Sequence, residues 1–324
     1  LDVVMNGKNL SCNVLNAKTK DGGRVFFIDR HEFFDRPELY ATAAGDYPDN
    51  LERFSFFNLA ALLFAKEIGF DFHVVHCHDW QTGLVPVFLK TRYATDPFFS
   101  QVTSVFTIHN MGYQGLFSPD LLPVSGMPPS EFNPAGVEYW GNISLLKAGI
   151  QYADAITTVS PTYGREIQTS EFGMGMEGLL EHRSEDLHGI LNGVDYGGWD
   201  PATDRHLSSH YSVKAMKSKG RCKAALVKAL DLDDDVLSRP LFAVISRLTV
   251  QKGYDLLLEV MEDIVKLDAG LVVLAAGEIK YQAPLDELAQ KYPSRIAVRI
   301  GFDEPLAHRI MAGADMLLVP SRYE

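Results

Sequence analysis

The sequence predicts an α/β protein with two doubly wound parallel sheets, one in each half of the chain. The first observation is a repeated alternation of short apolar runs, rich in Val, Ile and Leu, with longer segments whose apolar residues recur at helical spacing. The second is length, because 324 residues suffice for two domains that each have a core of their own. The third is composition, since 46% hydrophobic and 22% charged residues are typical of a globular protein.

The first half contains the elements of one such sheet. A helix is expected in DNLERFSFFNLAALLFAKEIG, with Asp49 and Asn50 as capping residues and Gly69 at its end. A strand follows in FHVV, and a further helix is expected from residue 81 to about residue 93. The run SVFTI is nearly all apolar and β-branched, as in a parallel strand that is buried on both faces. After it come a helix in ISLLKAGIQYAD, a strand in AITTV and a helix in SPTYGREI, for which Ser160 is the N-cap.

The second half repeats the alternation. Its predicted elements are strand LFAVI, helix KGYDLLLEVMEDIVKL, strand LVVLAA, helix PLDELAQKY, strand IAVRI, helix PLAHRIMAGA and strand MLLVP. The stretch from about Asn192 to Pro240 is polar and contains a Lys-rich helix and the acidic run DLDDDV, which we interpret as a solvated turn. We therefore assign residues 1–191 to a first domain and residues 192–324 to a second.

Charge and composition argue against several kinds of partner. The net charge of −12 disfavours binding to nucleic acid, whose phosphates attract basic surfaces. No apolar run reaches the ~20 residues that a membrane span needs, and the N-terminus lacks the features of a signal peptide. Three scattered cysteines are typical of a reducing compartment. We therefore expect a cytoplasmic protein with no nucleic-acid partner and no membrane partner.

Polar residues follow the predicted strands in both halves of the chain. The residues at these positions are His76, His78 and Asp79, His109 and Asn110, Ser246 and Arg247, Gly277 and Glu278, Gly301 and Phe302, and Ser321, Arg322 and Glu324, which are polar except for the two glycines and Phe302. In open parallel sheets, ligands bind beyond the carboxyl ends of the strands. The recurrence predicts a binding crevice at these ends, without identifying a reaction.

The segment HVVHCHDWQTG raises the question of a metal site. His76 and His78 stand two apart on a strand and should face the same way, as in metallohydrolases with a His-x-His pair. Trp80 and Gln81 occupy the positions where a binuclear site needs Asp and His, and no second cluster completes a coordination shell. We therefore predict no metal at this segment and favour hydrogen-bonded strand histidines.

The segment SRLTVQKG indicates an anion site. Arg247 leaves a buried strand, and Lys252 follows five residues later at the predicted start of a helix. Two cations beside a helix N-terminus can hold a diphosphate and stabilise it as it leaves. The alternative is a pair of unrelated surface cations, but the strand–turn–helix position favours the anion site.

Seven blocks of the sequence together closely resemble the glycogen and starch synthase family. They are HCHDWQTGLVP, FTIHNMGYQG, ADAITTVSPTYGREI, GMEGLL, GILNGVD, SRLTVQKG and MLLVPSRYE, which occur in the order of the family along essentially the whole chain. The resemblance implies retaining glucosyltransferases with two facing Rossmann-like domains, the GT-B architecture. It implies transfer of glucose from the donor ADP-glucose to the nonreducing end of an α-1,4-glucan acceptor such as glycogen. It implies no metal and no other cofactor, because Arg and Lys take the role of a divalent cation.

The resemblance also implies roles for individual residues. In this reading the first domain is on the acceptor side and the second binds the nucleotide sugar. The implied catalytic residues are Asp79, His109 and Glu324, and the implied substrate-binding residues are Arg247, Lys252, Asn192 and Phe302.

Each implied site residue has a structural alternative. Asp79 could instead cap the helix expected near residue 81, and His109 could be a buried histidine satisfied by backbone. Glu324 could be no more than a terminal residue. Trp80 is expected in the core, packed against a helix.

The sequence also departs from the family pattern. The initial strand and its Lys-Thr-Gly-Gly-Leu loop are absent, and so are the Pro-Cys-Gly and the further carboxylate that follow SRYE in the family. Phe302 stands where the family often has Tyr, which keeps stacking but loses a hydroxyl. We therefore expect two incomplete domains and little or no synthase activity from the 324-residue chain alone.

Three alternatives to the synthase remain from the sequence. One is a protein that binds a nucleotide sugar or a glucan without turnover. Another is a different retaining GT-B glucosyltransferase of the sucrose or trehalose type, although HCHDWQTG and GMEGLL favour the polyglucan branch. A pyridoxal-phosphate phosphorylase is the most remote.

Overall fold

The computed structural model describes residues 1–42 and 45–323, which divide into two compact units, Leu1–Asn192 and Gly193–Glu324. The domain change that the sequence predicts lies one residue before this division. Each unit contains a four-stranded parallel sheet.

The first unit contains the following elements. Its strands are β1 (Asp2–Met5), β2 (Lys8–Ser11), β3 (Asn13–Lys18), β4 (Arg24–Asp29), β5 (Ala41–Thr42), β6 (Gly45–Asp46), β7 (Val74–His78), β8 (Thr103–Ile108), β9 (Leu116–Phe117), β10 (Glu138–Tyr139), β11 (Asn142–Ser144), β12 (Ala155–Thr158) and β13 (Leu187–Gly189). Its helices are α1 (His31–Phe34), α2 (Asn50–Glu67), α3 (Leu84–Lys90), α4 (Leu122–Ser125), α5 (Leu145–Tyr152), α6 (Pro161–Glu166) and α7 (Glu177–His182).

The main sheet of the first unit has the order β13-β12-β8-β7, with all neighbours parallel. Phe106 and Ile108 of β8 are fully buried, as the apolar run SVFTI predicts. Helix α3 packs so closely on α5 that a Cβ on Gly83 would lie 1.9 Å from the carbonyl oxygen of Leu145. The glycine of the HDWQTG block is therefore required by packing.

Two helix predictions in this unit need correction. The helix expected from residue 81 to about residue 93 is instead a 3₁₀ turn, Trp80–Thr82, followed by the shorter helix α3. Asp49 stands at the N-cap of α2, but its carboxylate makes no capping bond because it is 2.5 Å from Nη2 of Arg36. The prediction for Ser160 is confirmed, since its hydroxyl accepts the backbone N–H of Tyr163 at 2.8 Å.

The second unit contains the strands β14 (Leu241–Leu248), β15 (Gly270–Gly277), β16 (Ile296–Ile300) and β17 (Met316–Leu317), and the helices α8 (Lys219–Ala229), α9 (Tyr254–Lys266), α10 (Ile279–Lys291) and α11 (Glu304–Gly313). The strand order is β16-β15-β14-β17, and all pairs are parallel. The strands β14, β15 and β16 therefore follow one another across the sheet in one direction, and β17 lies on the opposite side of β14. This is the start of the Rossmann order, with its reversal between β14 and β17.

The core of the second unit lies on both faces of its sheet. Val273 belongs to one cluster, together with side chains of α9 and α10. Val272 and Leu274 belong to another, together with side chains of α8 and α11. Because alternate residues of a strand point to opposite faces, helices cover both sides of this sheet. The predicted doubly wound arrangement is therefore confirmed here.

Two further features bear on the sequence predictions. The acidic run lies between α8 and β14, with the side chains of residues 231, 233, 234 and 235 exposed, as expected of a solvated turn. Within residues 1–42 and 45–323, no helix is both long and apolar enough to cross a membrane.

Candidate functional site

Three imidazoles lie together at the carboxyl ends of β7 and β8. The ring centroids of His76 and His78 are 4.2 Å apart, so the two side chains face the same way, as predicted. Nδ1 of His78 lies 3.0 Å from Nε2 of His109, which directly follows β8. His78 and His109 are both exposed, so this pair can meet a ligand.

The histidine cluster is held by hydrogen bonds to hydroxyl groups on the neighbouring strands β8 and β12. Nε2 of His76 lies 2.6 Å from the hydroxyl of Thr107 in β8, and that hydroxyl lies 2.5 Å from the hydroxyl of Thr157 in β12. The sequence interpretation missed both threonines. The available signal was a hydroxyl within each of two buried apolar runs, because a buried hydroxyl needs a hydrogen-bond partner.

Asp79 is hydrogen-bonded to the backbone at the carboxyl end of β8. Its Oδ1 accepts the backbone N–H of His109 at 2.8 Å, and its own N–H donates to the carbonyl of Thr107 at 3.0 Å. The Asp79 side chain makes no capping bond to the 3₁₀ turn that follows. The alternative that Asp79 serves as a helix N-cap is therefore wrong, because its carboxylate binds the neighbouring strand end.

The backbone of Asp79 is strained. Its φ of 55° and ψ of −176° lie in a region that is almost restricted to glycine. Such a conformation costs about 1–3 kcal/mol and occurs most often at ligand-binding and active sites. In this conformation the Asp79 carboxylate accepts the N–H of His109.

The pKa of His78 is lowered. The main cause is partial desolvation of its ring by neighbouring groups, although the residue as a whole is exposed, and repulsion from His76 and His109 adds to it, while Asp79 acts in the opposite sense. A lowered pKa keeps His78 neutral near neutral pH. A neutral imidazole can accept or donate at Nδ1, whereas two imidazolium rings would place two N–H groups against each other. For His109, the alternative of a buried, backbone-satisfied histidine is wrong, since it is exposed and bonded to another imidazole.

The His76–His78 segment was considered above as a possible metal site. Among residues 1–42 and 45–323, no three His, Cys, Asp or Glu side chains are arranged to hold a metal ion.

Trp80 is 7% exposed and packs edge-on against Phe54 of α2 at a centroid distance of 4.9 Å, so its predicted core position is confirmed.

In the second unit, Arg247 is the penultimate residue of strand β14 and is exposed. Lys252 ends a 3₁₀ turn, Val250–Lys252, and helix α9 begins at Tyr254. The predicted position of Lys252 at the helix start is therefore two residues early, because Gly253 intervenes with φ 69°. Arg247 and Lys252 thus flank a turn at the carboxyl end of β14.

Backbone hydrogen bonds connect the segments after β15, β16 and β17 to a neighbouring strand or loop at the carboxyl end of the sheet. The N–H of Glu278, after β15, donates to the carbonyl of Leu248 at 2.9 Å. The N–H of Gly301, after β16, donates to the carbonyl of Ala275 at 2.8 Å. The segment after β17 joins through Arg322, whose N–H donates to the carbonyl of Gln251 at 2.9 Å.

The other predicted site residues are Phe302, Asn192 and Glu324. Phe302, in the loop after β16, is 91% exposed. Asn192 is exposed and is the last residue of the first unit, although the sequence interpretation assigned it to the second domain. Glu324 lies outside the described residues.

A buried hydrogen-bonded pair in the second unit was not anticipated. Nδ1 of His308 in α11 lies 2.6 Å from Oδ2 of Asp204, and both side chains are buried. The His308 ring stacks on Trp199 at a centroid distance of 3.6 Å. This group fastens the irregular segment before α8 to α11, and no local sequence pattern signals it.

Two family models match the chain. A model described as the starch synthase catalytic domain matches residues 2–182, and one described as glycosyl transferases group 1 matches residues 235–324. The chain is 44% identical over 313 residues to a glycogen synthase of Koribacter versatilis, covering 97% of this chain and 64% of the relative. It is 47% identical over 300 residues to a glycogen synthase of Geotalea uraniireducens, covering 93% of this chain and 62% of the relative. The chain thus spans less than two thirds of the length of these relatives.

A solved structure is similar over the whole chain. It is the catalytic domain of starch synthase IV from Arabidopsis thaliana bound to ADP and acarbose. The TM-score is 0.91 at 31% sequence identity, covering 100% of this chain and 66% of that one. The fold class predicted from the sequence, two Rossmann-like domains of the GT-B type, is therefore confirmed.

Proposed function

Because the chain belongs to the starch synthase catalytic domain family, we propose that it takes part in glucan synthesis as a retaining glucosyltransferase. The donor is ADP-glucose, and the acceptor is the nonreducing end of an α-1,4-glucan such as glycogen. The ADP held by the similar starch synthase supports an adenine nucleotide in the donor. The protein acts in the cytoplasm and needs neither a membrane nor a nucleic acid.

The observation that carries the proposal is the position of Arg247 at the carboxyl end of β14, beside the reversal of strand order. Ligands of open α/β sheets bind at such a reversal. Lys252 ends the turn that follows β14, so two cations stand at the same edge of the sheet. A pair of cations suits a diphosphate, whose charge grows as it leaves the sugar. Asn192 and Phe302 are further proposed contacts of the donor.

The first unit supplies two of the three residues assigned to the sugar. His109 presents an exposed imidazole, and the Asp79 carboxylate fixes the backbone at that position. Glu324 is the proposed carboxylate beside the transferred glucose. In this assignment residues 1–191 form the acceptor-side domain and residues 192–324 the nucleotide-sugar domain.

The proposed reaction needs no metal and no cofactor. The bond between C1 of glucose and the β-phosphate oxygen breaks, and a bond from C1 to the acceptor hydroxyl oxygen forms on the same face. The hydroxyl proton passes to the departing ADP. Positive charge develops on the sugar and negative charge on the phosphate, so carboxylates are needed on one side and cations on the other.

The direct test is incorporation of radiolabelled glucose from ADP-glucose into glycogen, with UDP-glucose as the competing donor. In a protein that spans the full length of these relatives, we expect incorporation with ADP-glucose and α-linked product. From residues 1–324 alone we expect little or no incorporation. Arg247→Ala should lower kcat/KM by about 100-fold or more, as when a group that stabilises transition-state charge is removed. Arg221→Ala is the matched control, because Arg221 is an exposed arginine on α8.

A calorimetric titration with ADP separates donor binding from turnover. Binding without incorporation would favour the alternative of a nucleotide-sugar-binding protein without turnover. Equal losses in Arg247→Ala and Arg221→Ala would contradict the assignment of Arg247 to the diphosphate.

A further inference from the structure

The hairpin of β10 and β11 presents an exposed tryptophan at its turn. Tyr139 pairs with Asn142, so Trp140 and Gly141 form a two-residue loop. Their φ values are 49° and 80°, as in a type I′ turn, where Asn and Gly are the preferred residues. Trp140 is 79% exposed. Neither the turn nor the burial of apolar surface accounts for an indole at this position.

Contacts on one side hold the indole in place. The Tyr139 ring packs edge-on to the Trp140 ring at a centroid distance of 6.3 Å, and its hydroxyl donates to the carbonyl of Met174 at 2.5 Å. Gly175 follows, and a Cβ there would lie 2.4 Å from the Tyr139 hydroxyl and 3.4 Å from Nε1 of Trp140. The backbone of Gly175 therefore approaches the edge of the indole and leaves most of its surface exposed.

The hairpin is continuous with the candidate site. The loop that begins at His109 ends in β9, which pairs with β11 through Leu116 and Ser144. Gln114, in the same loop, donates its side-chain N–H to the carbonyl of Met174 at 3.1 Å. This is the carbonyl that Tyr139 also binds. The loop from His109, the hairpin and the Met174 turn are therefore joined by hydrogen bonds.

The chemistry of the hairpin fits a neutral sugar. Residues 138–144, EYWGNIS, contain one carboxylate and no Lys or Arg, which disfavours a phosphate or another anion. The carboxylate of Glu138 accepts the N–H of Gly141 at 2.7 Å. A hexose ring offers an apolar face of C–H groups and a polar rim, and an exposed indole offers a flat apolar face with one N–H donor.

We propose that Trp140 is a stacking platform for a glucose ring of an α-1,4-glucan, away from the ring that reacts. The glucan as occupant rests on the proposed function, whereas the platform rests on the exposure, rigid seating and connection of Trp140 to the His109 loop. The platform raises the affinity for long glucan acceptors, because it binds a second part of the glucan in addition to the end that reacts.

The test is glucan binding without donor. Native electrophoresis of the chain through gels that contain glycogen gives a dissociation constant, and titration with maltoheptaose is followed by tryptophan fluorescence. Trp140→Ala should weaken binding about 2- to 12-fold, the range of one aromatic stacking contact. Trp140→Phe should retain most of the affinity and abolish the fluorescence change. Tyr196→Ala is the control, since Tyr196 is 76% exposed in the other unit.

Because this assay uses no ADP-glucose, it is independent of turnover. Binding that depends on Trp140 in a protein without transferase activity would support the platform and refute the proposed function. Unchanged binding in Trp140→Ala would overturn the platform, as would an equal loss in Tyr196→Ala. Self-association that requires Trp140, with unchanged glucan affinity, would also overturn it.

Discussion

Nδ1 of His78 accepts or donates a hydrogen bond at 3.0 Å to Nε2 of His109, so the imidazole proposed to face the sugar is oriented by a second imidazole. The bond requires that at least one ring be neutral. The lowered pKa of His78, caused first by burial and then by His76 and His109, makes His78 the neutral partner.

We expect His78→Ala to lower kcat about 2- to 12-fold, because loss of one hydrogen bond of ordinary strength leaves His109 less well oriented. Substrate affinity should change little, since His78 acts through His109. The measurement is steady-state kinetics with ADP-glucose and glycogen. His73→Ala is the matched control, because His73 is exposed and lies just before β7.

The pH dependence of activity follows from the same pair. As the pH falls below the ordinary histidine pKa of 6.5, His78 stays neutral longer than a free imidazole and then becomes charged. Protonation of both rings breaks the bond, so activity should decline on the acid side through that lower pKa. In His78→Ala this acid decline should be displaced. An identical acid limb in the variant would argue against His78 as the group responsible.

Asp79 offers a test of backbone strain. Asp79→Ala loses the hydrogen bond to the N–H of His109 but keeps the unfavourable φ of 55°. Asp79→Gly loses the same bond and relieves the strain of about 1–3 kcal/mol, less the larger unfolded-state entropy of glycine. We therefore expect the glycine variant to have the higher free energy of unfolding, by about 1 kcal/mol. Urea unfolding of the pair decides this, and an alanine variant that is the more stable would disprove the strain.

The strand–helix alternation could be predicted from the sequence, and the positions of bonds between strands could not. The run LVVLAA was predicted as a strand, and it forms β15, where Val272 and Val273 belong to clusters on opposite sides of the sheet. Ser160 was predicted as an N-cap because capping is a local property of the chain. The contact of His78 with His109 depends on how β7 and β8 are aligned, which local pattern does not specify.

In the candidate site, too, local features could be predicted from the sequence and contacts between strands could not. Polar residues at strand ends could be read from the sequence, so Asp79 and Arg247 were identified. The carboxylate of Asp79 binds a strand end instead of a helix N-terminus because the backbone adopts a conformation that propensity does not anticipate. Arg247 remains a predicted diphosphate contact that the Arg247→Ala assay will test.

The buried hydrogen bond between Asp204 and His308 should stabilise the second unit. Breaking a buried pair leaves the remaining partner uncompensated, so His308→Ala should lower the free energy of unfolding by about 3–5 kcal/mol. The measurement is urea unfolding at neutral pH, with proteolysis of residues 193–218 as a local readout. His206→Ala is the control, because His206 also lies near His308 but is less buried. Equal stability of the two variants would contradict the structural role of the pair.

The same pair gives a stability change at low pH. Burial tends to raise the pKa of Asp204, but hydrogen bonds from the N–H of His206 and from His308 outweigh it and lower the pKa. A carboxyl group with a lowered folded pKa contributes stability above its unfolded value, here 3.8, and loses it as the pH falls through the folded value. Asp204→Asn should therefore flatten the acid limb of the stability profile below about pH 4.

Two glycine-to-alanine substitutions should have opposite effects on stability. In Gly83→Ala the new Cβ would lie 1.9 Å from the carbonyl oxygen of Leu145, so α3 and α5 must separate. We expect a loss of about 1–3 kcal/mol in the free energy of unfolding, as for overpacking of a core. Gly178, in α7, has no atom within 4 Å of such a Cβ, and Gly178→Ala should gain about 0.5–1 kcal/mol from helix propensity. Urea unfolding of both variants tests the close approach of α3 to α5, and a Gly83→Ala protein as stable as the parent would show that these helices can separate at no cost.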